Sequence, residues 1–87
     1  MKSTTVTVNN TTPTLVVPAD NINRQIYLYS TGNDIFVGNG DVTTASGFNI
    51  KKDTYLEIMV PQGQTLYGIT AAVGTHSMQI LSPDTDS

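Results

Sequence analysis

Alternation of apolar and polar side chains constrains this chain more than any other feature of its sequence. The segment "RQIYLYS" (24–30) places Ile26 and Leu28 on one face and Tyr27 and Tyr29 on the other, and "TVTV" (5–8) alternates in the same way. A period of two belongs to a β-strand, whereas an amphipathic helix repeats every 3.6 residues. The sequence therefore predicts an all-β protein, and no segment predicts a helix.

Four further segments continue the pattern. "IFVG" (35–38) follows "STGND" as the second arm of a hairpin, and "TYLEIMV" (54–60), "TLYGITA" (65–71) and "HSMQIL" (76–81) are separated by "PQGQ" and "VGT". Within them we expect Leu56, Ile58 and Val60 to face inward and Met78 to share a face with Ile80. Such spacing predicts a small antiparallel β-sandwich or barrel of six to seven short strands. "NNTTP" (9–13) and "PADNIN" (18–23) are assigned as loops.

The length allows one domain. We expect a single β domain over 1–87, with a short N-terminal arm (1–5) and a frayed acidic C-terminal tail (83–87). A chain of this size buries only about 60 to 65% of its unfolded surface, so we also expect it to gain stability from oligomerisation.

Charge and composition argue against several classes of partner. The net charge is −3, and the only cations are Lys2, Arg24, Lys51 and Lys52. Without a basic stripe, nucleic acid is not expected as a ligand. Without an apolar run near 20 residues or a signal-peptide core, no membrane contact is expected, and synthesis is expected in the cytoplasm. The absence of cysteine excludes a disulfide framework and a thiolate metal site.

The stretch "GNGDVTTASGF" (38–48) allows three interpretations. A phosphate-binding loop is disfavoured because no helical pattern follows it. A calcium loop rests on oxygen ligands at alternate positions, Asn39, Asp41 and Thr43, but lacks the usual bidentate acid downstream. The favoured interpretation is a bend between strands. In it, Gly38, Gly40 and Gly47 supply positive φ angles, while Thr43 and Thr44 bond to the local backbone.

Catalytic constellations are weak in this sequence. Glu57 and Asp53 form the nearest carboxylate pair, and exposed strand positions explain both residues. His76 and Ser77 are adjacent, so on a strand they point to opposite faces. A zinc site at His76 would need scattered carboxylates as its other ligands. We therefore expect no catalytic residues, no metal site, no cofactor and no enzymatic activity.

A resemblance covers most of the chain, from Arg24 to Leu81. It begins with an arginine-led strand, a short turn and a strand that ends in glycine, followed by "DVT" (41–43) and the glycine-aromatic pair Gly47–Phe48. A strand that ends near Pro61, the motif "LYGI" (66–69), a turn of small residues and a last strand complete the order. This order resembles small β-sandwich virion structural proteins of tailed bacteriophages. The preceding "TVTVNNTTPTLVVPADN" is similar to the strand and connection that come first in such proteins.

The resemblance implies a capsid decoration, or cement, protein that binds the outside of an assembled head and stabilises it. It implies a homotrimer, the major capsid protein as partner, assembly in the host cytoplasm and final location on the capsid surface, without a small-molecule substrate. The candidate partner-binding residues are those of the arm together with two tyrosines: Met1, Lys2, Ser3, Thr4, Thr5, Tyr27 and Tyr29. An arm of this kind can add a strand to the exposed edge of a neighbour.

The alternative is a tail, fibre or head-to-tail component that acts as a carbohydrate- or receptor-binding β module. Its candidate residues are Tyr55, Asn49 and Asp41. Tyr27 and Tyr29, beside Phe36, predict either half-buried core packing, inter-subunit packing or a platform for sugars. Arg24, at the start of its strand, is expected to pair with Asp20 or Asp53.

Overall fold

The protein is an all-β sandwich, as the alternation predicts. The computed structural model describes residues 2–30 and 33–82. These contain eight strands: β1 (Lys2–Asn9), β2 (Thr14–Val17), β3 (Arg24–Ser30), β4 (Ile35–Gly38), β5 (Phe48–Ile50), β6 (Tyr55–Val60), β7 (Leu66–Thr70) and β8 (Thr75–Ser82). The described residues include no helix that is long and apolar enough to span a membrane.

The strands form two antiparallel sheets. Sheet A has the order β1-β8-β3-β6, and sheet B has the order β2-β7-β4-β5. In sheet A the first strand pairs with the last over their full lengths, from Lys2 opposite Ser82 to Asn9 opposite Thr75. β3 lies between β8 and β6, with Tyr27 opposite both Leu81 and Glu57.

The structure corrects the prediction of a free N-terminal arm at residues 1–5. Residues 2–5 are not a free segment but the first half of β1, and Ser3 and Thr5 lie opposite Leu81 and Gln79 of β8. The reason is that the alternation of "TVTV" extends backwards through β-favouring threonines, which lets the ladder continue to its end. The predicted acidic tail (83–87) lies outside the described residues.

The described residues form eight strands, more than the predicted six to seven, because alternation did not identify the short strands β2 and β5. β2 has four residues between Pro13 and Pro18, and its register against β7 shifts between Leu15 and Val17. β5 has three residues and pairs only with β4. Strands this short carry too little alternation to be distinguished from the loops around them.

The core lies between the two sheets. Its buried side chains come from seven of the eight strands: Val8, Val16, Val17, Ile26, Leu28, Ile35, Val37, Ile50, Val60, Met78 and Ile80. The sheets meet at Gly68 of sheet B, where an added Cβ would lie 3.4 Å from Val8 Cγ1 of sheet A. The predicted inward direction of Leu56, Ile58 and Val60 on β6, and of Met78 and Ile80 on β8, is confirmed.

Arg24 does not form the ion pair that the sequence analysis expects. It has the same parity as Ile26 and Leu28, so its side chain enters the sandwich and is only 3% exposed. Its Nη1 donates to the carbonyl oxygen of Pro18 at 2.7 Å and its Nη2 to that of Gln64 at 3.3 Å. The guanidinium thus fastens two loops at one end of the sandwich.

Candidate binding face

The loop of residues 39–47 covers the outer face of sheet B. Phe36 and Ile69 lie opposite each other on β4 and β7, with parity opposite to the core residues Ile35 and Val37. Val42, 4% exposed, lies over this side of the sheet, because a Cβ added at Gly47 would meet Phe36 Cβ at 2.6 Å and Val42 Cγ2 at 2.8 Å. The loop therefore covers the outer face of sheet B around Phe36.

Local hydrogen bonds close the end of this loop. Thr43 Oγ1 accepts from the Ser46 amide at 3.1 Å, and Ser46 Oγ accepts from the Thr43 amide at 3.1 Å. The Gly47 amide donates to the Thr43 carbonyl at 2.8 Å, which completes a single helical turn. This reciprocal pairing has the geometry of a capping box, with serine in place of glutamate. The predicted bonding of Thr43 to the local backbone is confirmed.

The predicted role of the loop glycines is wrong. Among the glycines in residues 2–30 and 33–82, those with positive φ are Gly63 and Gly74, at 80° and 98°. Gly47 is required instead by close packing, because a Cβ there would lie 2.6 Å from Phe36 Cβ and 2.8 Å from Val42 Cγ2. Side-chain volume, not backbone conformation, excludes larger residues at position 47. At Gly38 a Cβ would touch the side chain of Val42 at 3.0 Å.

The possible calcium ligands of the loop do not form a complete set. Asn39 and Asp41 line one depression with Ser46, whereas the hydroxyl of Thr43 is 3.0 Å from Ser46 Oγ. Among the described residues there is no group of three or more His, Cys, Asp or Glu side chains placed to hold a metal ion.

The outer face of sheet A is different, since no described segment lies over it. Two cross-strand rows run across it, Ser3–Leu81–Tyr27–Glu57 and Thr5–Gln79–Tyr29–Tyr55. We call this surface the aromatic face and define it by its large apolar members: Tyr27, Tyr29, Tyr55, Met59 and Leu81. Tyr55 is 69% exposed and Leu81 38% exposed, while Tyr27 and Tyr29 are half-buried between their neighbours.

A shallow depression of about 220 Å³ lies within the aromatic face. It is lined by residues of β1, β3 and β8: Ser3, Tyr27, Tyr29, Gln79, Ile80 and Leu81. The structure thus brings together three candidate residues, Ser3, Tyr27 and Tyr29, that lie far apart in sequence. Thr5 shares the face one row away, Thr4 has the opposite parity and faces the interior, and Met1 lies outside the described residues.

The polar candidates for catalysis lie in separate environments. The Glu57 carboxylate accepts a hydrogen bond from the Gln25 side chain on the aromatic face. Asp53 follows β5 in a turn with a φ of 61°, and its amide donates to the Ser30 carbonyl at 2.8 Å. His76 Nδ1 is 2.9 Å from Asn33 Nδ2, and Ser77 has the opposite parity on β8, as predicted.

The residues of the alternative sugar site are not brought together. Tyr55 belongs to the aromatic face, whereas Asn49 lies opposite Phe36 in sheet B and Asp41 belongs to the loop over that sheet. The predicted neighbourhood of Phe36 with Tyr27 and Tyr29 is also wrong, because Phe36 belongs to the other sheet.

Sequence reasoning missed Gln79, Leu81 and Met59 as members of the face. Alternation on β8 and β6 indicates that all three point away from the core. Their position beside Tyr27 and Tyr29 depends on pairing between β3, β6 and β8, which are distant in sequence. No protein-family model, no curated protein and no solved structure matches the chain.

Proposed function

We propose that this chain is a virion structural protein of a tailed bacteriophage, a capsid decoration protein that docks on the assembled head through the aromatic face. The observation that supports the proposal is the asymmetry between the two sheets. On the outer face of sheet B the loop 39–47 packs over Phe36 and leaves Leu15 exposed at the sheet edge, whereas sheet A leaves three large side chains, Tyr55, Met59 and Leu81, exposed together. Exposed apolar groups concentrated on one face are typical of a surface that another protein covers.

The chemistry of the face suits protein contact. Tyrosine combines a large apolar ring with a hydroxyl that bonds at the rim of an interface, and it is enriched among residues that dominate binding energy. Glu57 is the charged residue of the two cross-strand rows, and its carboxylate is engaged by Gln25. A face of this kind loses few hydrated charges on docking.

The partner in this proposal follows from the resemblance to phage virion proteins. On this proposal the aromatic face binds the major capsid protein at the outside of the head, the active form is a homotrimer, and the protein belongs to the capsid surface. A protein that binds only the assembled shell shifts the assembly equilibrium towards that shell. Many copies, each with a modest interface, therefore stabilise the head.

Co-sedimentation with heads tests the proposal. Expanded heads of the phage that encodes the chain, assembled without it, are titrated with the wild type, Leu81→Lys and Thr44→Lys. Leu81 lies in the middle of the aromatic face, two strands away from β6, and Thr44 is exposed in the loop over sheet B. Because docking would bury the new charge at 81, we expect binding to weaken at least about tenfold there and to stay unchanged at 44. Equal binding of the three proteins would refute this docking face.

A second function is favoured by the depression within the same face. Tyr29, Gln79 and Ser3 present a ring, an amide and a hydroxyl around about 220 Å³, the groups with which proteins bind sugars. This is the carbohydrate- or receptor-binding module of a tail or fibre. A glycan array decides it: binding that Gln79→Ala abolishes supports the module, and an array without any bound glycan contradicts it.

A further inference from the structure

The sandwich is open along the side where β6 and β5 run. Leu56 and Ile58 face the space between the sheets but are only half-buried, and Phe48 of β5 is 62% exposed. Between them lies a groove of about 410 Å³ whose other apolar lining comes from Val37 and Leu66. We call this groove, with the free edge of β6, the open edge.

The other sheet edges carry features that discourage pairing. β2 is four residues long between two prolines and contains a register shift. β5 has only three residues. β1 has eight residues, but its outward side chains are Ser3, Thr5 and Thr7, so a strand added there would bury less apolar surface than one added at β6. β6, by contrast, runs for six residues, "YLEIMV", with no proline and one charged residue, Glu57, and its pairing with β3 has no register shift. A regular edge with five apolar or aromatic residues out of six is a template for another strand.

The direction of the main-chain groups on β6 follows from its pairing with β3. The Ser30 amide donates to the Thr54 carbonyl at 3.1 Å, and the register then continues with Leu28 opposite Leu56. The direction of the main-chain hydrogen bonds alternates from residue to residue along an antiparallel ladder. The amides and carbonyls of Leu56, Ile58 and Val60 therefore point towards β3. The amides and carbonyls of Tyr55, Glu57 and Met59 consequently face away from the sheet.

We infer that the open edge binds a second copy of this chain, with the two β6 strands antiparallel about a two-fold axis at Ile58. About such an axis the free amides and carbonyls of one β6 edge meet the carbonyls and amides of the same edge in the second copy. Of the neighbouring registers, the one centred on Glu57 would set two carboxylates directly opposite each other, which destabilises a sheet. Centring on Ile58 places Glu57 opposite Met59 of the second copy and removes that repulsion.

The area of the open edge fits a reversible pair. An aromatic side chain buries about 200 Å², so the exposed parts of Phe48 (62%) and Tyr55 (69%) supply roughly 260 Å² per copy. If Met59 (55% exposed) and the half-buried residues of the groove are added and all of this area is buried, two copies reach at most roughly 1,000 Å², the lower limit for a specific interface. The pair therefore dissociates on dilution. It would join both A sheets into one of eight strands and set two aromatic faces side by side.

Single cysteines test the axis, because the natural chain contains none. Directly opposite residues at a non-hydrogen-bonded position have Cα atoms about 4.5 Å apart, within the range of a disulfide. Ile58→Cys should therefore form a disulfide-linked pair under mild oxidation. Gln79→Cys, exposed in the middle of sheet A, is the control and should stay monomeric on denaturing gels. Cross-linking at Glu57→Cys instead of Ile58→Cys would overturn the inferred register.

Opposite charges at one exposed position provide the second test, which does not depend on packing at Ile58. In the inferred register the side chain at position 59 lies opposite Glu57 of the second copy. Met59→Lys therefore creates two attractive charge pairs per dimer, and Met59→Glu creates two repulsive ones. We expect the dimer dissociation constant, from sedimentation equilibrium, to be about tenfold higher for Met59→Glu than for Met59→Lys. Equal constants, a monomer at about 100 µM, or a trimer would each overturn the inference. The two-fold pair differs from the homotrimer of the proposed virion role, so a dimer in solution would overturn that homotrimer, whereas docking on heads is decided separately by co-sedimentation.

Discussion

Gly47→Ala is the substitution whose effect the structure defines most sharply. A Cβ at this position would lie 2.6 Å from Phe36 Cβ, 2.8 Å from Val42 Cγ2 and 3.0 Å from the Thr43 carbonyl oxygen. Two of these atoms are fixed by the backbone, so the loop 39–47 must shift. Overpacking of this kind costs about 1–3 kcal/mol, against which Gly→Ala gains up to about 1 kcal/mol through the unfolded state. We expect a net loss of about 1 kcal/mol relative to the wild type, and of about 2 kcal/mol relative to a Gly→Ala change without overpacking.

Gly40→Ala is the matched control, because it makes the same change in the same loop. Its Cβ would meet Tyr67 Cε1 at 3.6 Å, an ordinary contact, and its φ is not positive. Thermal unfolding followed by circular dichroism, at one protein concentration, measures both variants. A difference of about 2 kcal/mol between the two variants separates their Tm values by roughly 8–16 °C in a domain this size. If Gly47→Ala melts within about 2 °C of Gly40→Ala, the close-packing explanation of this glycine is wrong.

Three further predictions concern buried or reciprocal contacts. Thr70→Val removes the hydroxyl that donates to the Asp34 carbonyl at 2.9 Å in the core, and should lower the free energy of unfolding in urea by about 1–3 kcal/mol. Ser46→Ala breaks the reciprocal pair with Thr43 and should cost about 0.5–2 kcal/mol, with faster hydrogen exchange at the Thr43 amide. Met78→Ala empties a fully buried site and should cost about 2–5 kcal/mol in the same urea titration.

Each of these variants has an exposed counterpart. Thr7→Val on β1, Thr44→Val in the loop and Gln79→Ala on β8 make comparable changes at exposed positions. We expect them to change the free energy of unfolding by no more than about 0.5 kcal/mol. A buried variant that behaves like its exposed counterpart would contradict the contact assigned to it.

The strand assignments show how much of this fold is local information. β3, β6 and β8 carry enough alternating residues for their inward faces to be predicted one strand at a time. Alternation also fixes the buried direction of Arg24, which shares the parity of Ile26 and Leu28. Its carbonyl partners could not be predicted, because Gln64 lies forty residues away.

The candidate face was predictable only in part. Tyr27 and Tyr29 follow from one strand, and Ser3 was selected as part of an arm. Their meeting depends on β8 lying between β1 and β3, and no local pattern encodes the order of strands in a sheet. The glycines of the loop 39–47 were misassigned for a similar reason. The contact of Gly47 with Phe36 and Val42 is tertiary, and the sequence alone does not distinguish it from a turn that requires positive φ.

The pairing of β1 with β8 also sets the timing of folding. Roughly 65 residues separate the two strands, so during synthesis at 5–20 residues per second β1 waits about 3–13 s for its partner. Until then it is an unpaired strand in a crowded cell, and sheet A cannot close. Thr4, Thr5 and Thr7 keep that waiting strand hydrated while retaining β-preference. Folding of this protein is consequently expected to be slow, in milliseconds to seconds, and to be completed only after the last strand has left the ribosome.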